Sequence, residues 1–115
     1  MARIDHNETA TRAEVRGDPV PVAHYLDHLR EHRGDLVARY GIASLGVFGS
    51  YSRNEQRAGS DIDVLVSFTQ TPGLFKLVEL QDELSTLLGV SVDLVVRSEL
   101  KPSIGQRILA EVIEV

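Results

Sequence analysis

Two aspartates stand one residue apart in "GSDIDVLVSF", Asp61 and Asp63, shortly after a Gly-Ser pair, Gly49 and Ser50. On an extended strand, residues i and i+2 point to the same face, so the two carboxylates project side by side. Like charges that close repel each other and lower stability. A cation between them removes the conflict, and hard divalent ions prefer oxygen ligands. A third carboxylate would help to fix such ions. Asp93 is the candidate, because it interrupts the apolar run "VSVDLVV", where a carboxylate without a partner is out of place.

The residues upstream suit a phosphate chain. Gly49 lets the backbone come close to a ligand, and exposed turn amides bind phosphate. The Ser50 hydroxyl can add a hydrogen bond. Arg53 is near enough in sequence to neutralise a triphosphate. Ser60, beside Asp61, can add another hydroxyl or cap the preceding turn. Together these parts suit nucleotidyl transfer. Two Mg²⁺ ions would bridge the carboxylates and the triphosphate and favour in-line attack on the α-phosphorus. The protein would supply positioning and charge compensation.

The elements that must position these groups can be read from periodicity. Residues 1–21 are polar, carry Pro19 and Pro21, and read as an arm, or as a leader remnant, ahead of a domain over 22–115. Val22 to Tyr40 has Val22, Leu26, Leu29, Leu36, Val37 and Tyr40 on one helical face, with Gly41 as C-cap. "IASLGVFGS" reads as a strand running into a tight turn, and "YSRNEQRAGS" as a turn or short helix. "DIDVLVSF" is a second strand. Leu74 to Leu88 is an amphipathic helix with Leu77, Val78, Leu80, Leu84, Leu87 and Leu88 as its stripe, closed by Gly89. "VSVDLVV" is a third strand. "SELKPSIGQRILAEVIEV" closes the chain as a turn and a helix that starts near Pro102. The expected fold class is α/β (α+β), a small sheet flanked by helices.

Composition narrows the functions. A chain of 115 residues is one domain, and 43% hydrophobic with 5% aromatic content means a core of Leu, Val and Ile. Without cysteine there is no disulfide, thiolate nucleophile or cysteine zinc site. A net charge of −5 argues against non-specific nucleic-acid binding. No apolar run suggests a membrane span, and the N-terminus lacks the apolar core of a secretory signal, so the expected location is cytoplasmic.

"GSYSR", "GSDIDVLV" and "VDLVV" together resemble the signature of the DNA-polymerase-beta-like nucleotidyltransferase superfamily. The length and layout are similar to its minimal nucleotidyltransferase (MNT) group. This resemblance, over about residues 22–115, implies a nucleotidyltransferase core with a small mixed sheet. It implies that Gly49 and Ser50 hold the nucleotide phosphates and that Asp61 and Asp63 bind both Mg²⁺ ions. Asp93 would complete the metal site and act as base toward the attacking hydroxyl. It further implies an antitoxin that transfers AMP from ATP to a tyrosine of a HEPN-type toxin. Ser52 and Asn54, on either side of Arg53, depart from the commoner Ala-Arg-Gly. Two alternatives stay open: a module that neutralises its partner by contact alone, and transfer to a small molecule or RNA. The crowded carboxylates favour catalysis over contact. The short, acidic chain argues against an RNA acceptor.

Other polar groups have simpler readings. His24, His28 and His32 recur every four residues beside the helix's apolar stripe and read as a solvated face rather than a metal site. Glu79, Asp82 and Glu83 read as another solvated face, with docking of a basic partner as the alternative. Tyr51 packs either on the Gly-Ser turn or on a nucleotide base.

Overall fold

The computed structural model describes residues 20–115, so the expected arm over 1–21 lies almost wholly outside the described residues. Helix α1 (Val22–Tyr40) leads into strand β1 (Ile42–Phe48) and a 3₁₀ turn at Gly49–Tyr51. Strand β2 (Ile62–Phe68), helix α2 (Leu74–Leu88) and strand β3 (Val92–Val96) follow. A second 3₁₀ turn at Arg97–Glu99 precedes helix α3 (Pro102–Glu111) and strand β4 (Ile113–Glu114). Both long helices end as their sequences predict. Gly41 and Gly89 adopt left-handed φ of 70°, and each donates its amide to the carbonyl four residues back.

The sheet is mixed, in the order β3-β2-β1-β4. β1 is antiparallel to both β2 and β4, whereas β2 and β3 are parallel, joined through α2. β4 is an addition to the sequence reading, which ends the chain in a helix. A two-residue strand has no periodicity of its own and forms by docking on β1.

The core lies between the sheet and the helices α1 and α2. Ile62, Val64 and Val66 of β2 are fully buried there with Leu29 and Leu36 of α1 and Leu80 and Leu84 of α2. Each fully buried aliphatic side chain contributes about 1.5–3 kcal/mol. An irregular step between Ile42 and Ser44 shifts the alternation of β1, so Ile42, Leu45 and Val47 all reach that core. The opposite face of the sheet is therefore left to Phe48, Leu65 and the aspartates.

Candidate active site

Strand pairing decides which groups meet. Phe48 of β1 stands opposite Asp63 of β2, and Asp63 stands opposite Asp93 of β3. Paired residues share a face, so Phe48, Asp63 and Asp93 form one row across the sheet. Asp61 immediately precedes β2 and extends the acidic group along the chain. Asp63 is half-buried, while Asp61 and Asp93 are exposed at the rim.

Asp63 bears the strain of this crowding. Burial, then the charges of Asp93 and Asp61, push its carboxyl above the ordinary value, and Arg53 opposes the shift. Among the described residues no three His, Cys, Asp or Glu side chains are gathered into a metal-holding group. The three donors are all carboxylate oxygens at one end of the adjacent strands β2 and β3, which fits a hard ion such as Mg²⁺.

The Gly49 turn closes over Asp63. Gly49 has φ of +75°, and a Cβ built on it would lie 2.0 Å from Asp63 Oδ2. The turn is tied by Ser52 and Arg53, whose amides donate to the Gly49 carbonyl at 3.1 and 3.2 Å. Ser50 is half-buried in this turn.

Arg53 faces the same end of the sheet but is engaged by carboxylates. Its Nε donates to Glu55 at 2.9 Å, and its Nη1 donates to both oxygens of Glu111 at 2.9 and 3.0 Å. The Ser60 hydroxyl oxygen accepts the Arg57 amide at 2.8 Å, the turn cap that the sequence also allows. Tyr51 packs on protein: its ring is buried edge-to-face against Tyr25 at 5.3 Å, and its hydroxyl donates to the Ser60 carbonyl at 3.2 Å.

Glu111, in the last turn of α3, is absent from the sequence reading. Its Oε2 accepts the Gly49 amide at 2.7 Å. Burial opposes its charge, but the Gly49 amide and the Arg53 guanidinium more than offset this and hold its carboxyl below the ordinary value. An acidic group in the last turn of a helix is disfavoured by the helix dipole, and that was the available signal. Phe48, Gly49, Arg53, Arg107 and Glu111 line a cleft of about 330 Å³ here.

His24 and His32 are exposed, His24 stacks edge-on against His28 at 4.7 Å, and the His32 ring lies 2.9 Å from the His28 carbonyl. Glu83 corrects the solvated reading of its helix face: it accepts hydrogen bonds from Arg39 and Tyr40 of α1.

The nucleotidyltransferase domain family matches residues 29–115 of the chain. The chain belongs to that family. The protein adenylyltransferase MntA of Thermococcus cleftensis is 46% identical over 87 residues, covering 76% of this chain and 88% of the relative. A solved structure assigned to the minimal nucleotidyltransferases superposes with a TM-score of 0.71 at 36% identity, over 86% of this chain and all of the other. A toxin–antitoxin structure solved with AMP-PNP gives 0.61 at 25% identity, over 80% of this chain and 69% of the other. The fold is thus the mixed-sheet nucleotidyltransferase core that the motif resemblance implies, and the chain is a nucleotidyltransferase.

Proposed function

We propose that this nucleotidyltransferase is a Mg²⁺-dependent protein adenylyltransferase that moves AMP from ATP to a hydroxyl, a tyrosine in our reading, of a HEPN-type toxin and so acts as its antitoxin. The observation that carries the reading is the row formed by Asp63 and Asp93 in register, with the Gly49 turn against the Asp63 carboxylate. The name of the Thermococcus relative and the AMP-PNP toxin–antitoxin neighbour support the acceptor class and the nucleotide. We assign the activity to residues 22–115. Its use of ATP and a toxin inside the cell carries a cytoplasmic location with it. No helix of the described residues is long and apolar enough to cross a membrane.

In this reading Asp61, Asp63 and Asp93 would hold the magnesium ions, which supply charge compensation at the phosphates. The Gly49 and Ser50 turn seats the phosphate chain, with Arg53 and Ser60 as further contacts. The acceptor hydroxyl oxygen forms a bond to the α-phosphorus, the bond to the bridging oxygen breaks, and pyrophosphate leaves. Asp93, exposed on the edge strand β3, takes the hydroxyl proton.

The deciding experiment is intact-protein mass spectrometry of the partner after incubation with ATP and Mg²⁺. One or more added AMP units, absent with the Asp61→Asn, Asp63→Asn double variant, are expected. No mass gain, with both forms still binding and silencing the partner, would replace this reading with neutralisation by contact.

A further inference from the structure

The carboxylate of Glu111 sits on the two groups that a phosphate chain needs. Its Oε2 takes the Gly49 amide at 2.7 Å, and both of its oxygens take Arg53 Nη1. A turn amide and a guanidinium are common phosphate donors, and a carboxylate offers them the same kind of anionic oxygen acceptor. Arg53 also holds Glu55, so one cation answers two carboxylates and carries no spare charge toward an incoming anion.

The setting favours release. Glu111 ends α3, where the negative end of the helix dipole opposes it. Its side chain is 25% exposed, and the cleft beside it opens to solvent. Arg107, one turn earlier on α3, lines the same cleft and gives a displaced carboxylate or an arriving phosphate a second cation. Glu111 also adds negative charge beside Asp63, in a site that must accept a polyanion.

We propose that Glu111 is a stand-in anion. It fills the seat formed by the Gly49 amide and Arg53 until a phosphate group displaces it, and it thereby sets the affinity for the nucleotide. The inference rests on the nucleotidyl-transfer reading only for the chemical class of the ligand, a polyphosphate.

Inorganic tripolyphosphate with Mg²⁺ tests the seat without the reaction. Calorimetric titration would use the full chain, Glu111→Gln, Arg53→Gln and the double variant. Release of an exposed ion pair gains little, so Glu111→Gln is expected to bind only roughly five-fold tighter. That gain should vanish when Arg53→Gln is also present. Equal or weaker binding by Glu111→Gln, or no binding by either it or the unaltered chain, overturns the proposal and leaves Glu111 as a brace for the turn.

A second measurement needs no variant. In the unaltered protein, NMR signals of the Gly49 amide and the Glu111 carboxyl carbon should move together as tripolyphosphate is added. A Gly49 amide that shifts while the Glu111 carboxyl stays still overturns displacement. Failure of AMP transfer in a protein that passes both tests would remove the reaction and leave the seat.

Discussion

Gly49 and Asp63 cannot be changed independently. At φ of +75° any side chain is strained, and a Cβ would lie 2.0 Å from Asp63 Oδ2. Gly49→Ala is therefore expected to lower stability by about 1–3 kcal/mol and to push the Asp63 carboxylate out of the row, with loss of AMP transfer. Chemical denaturation and the transfer assay, run side by side, check both effects. Asp63→Asn should act in opposite directions on the two readouts. It removes a half-buried charge held against Asp61 and Asp93, so thermal stability without Mg²⁺ is expected to rise while transfer is lost. A fall in stability would mean that the Asp63 charge is already compensated within the chain. The register of Asp63 beside Asp93 is a fact of the fold, whereas the spacing of Asp61 and Asp63 and the apolar neighbours of Asp93 are local facts of sequence. Glu111 was not legible there, because the amide it meets lies 62 positions away and only the fold brings the two together.

One cluster of side chains fixes the helices above the sheet. Glu83 of α2 accepts hydrogen bonds from Arg39 and, at 2.7 Å, from the buried Tyr40 hydroxyl, both on α1. The Arg39 guanidinium, then the Tyr40 hydroxyl, lower the Glu83 carboxyl to about 2. Burial and the same carboxylate raise Tyr40 to about 12. The Glu83 contribution is thus fully present above the ordinary carboxyl value and fades as pH falls toward 2. The Tyr40 contribution is fully present below pH 10 and fades as pH rises through 12. Tyr40→Phe is expected to cost about 1 kcal/mol near neutral pH for the lost hydrogen bond. It should also flatten the alkaline decline of stability between pH 10 and 12, which urea titrations across that range would reveal. An unchanged decline would place its origin in another group. The helix itself was legible from its stripe of leucines. The clamp was not, since Glu83 has the spacing of a solvated face, and Val78 of the stripe is left 47% exposed.

The order of strands was beyond the periodicity, because alternation tells which residues share a face but not which strand lies beside which. The least legible strand, β4, is also the one that carries α3 back to the Gly49 turn. It pairs Glu114 with Gly46 and Ile113 with Val47, and the Val115 amide donates to the Leu45 carbonyl at 2.9 Å. Gly46 makes the approach possible: a Cβ there would lie 2.7 Å from Val112 Cγ2 and 2.9 Å from the Ile113 carbonyl oxygen. A side chain at this position must move the C-terminal segment, since the rigid strand β1 cannot yield. Gly46→Val is expected to cost about 1–3 kcal/mol as overpacking. The core between the sheet and α1 and α2 should survive, because none of its buried residues comes from the C-terminal segment, whose Ile113 and Val115 only pack against it partly buried. Hydrogen exchange should show the Val115 amide losing protection while the amides of β2 keep theirs. If the segment also carries Glu111 away from Gly49, the variant should bind tripolyphosphate more tightly, in the same direction as Glu111→Gln. Lost Val115 protection with unchanged or weaker binding would separate the two events and show that α3 holds Glu111 on the turn without help from β4.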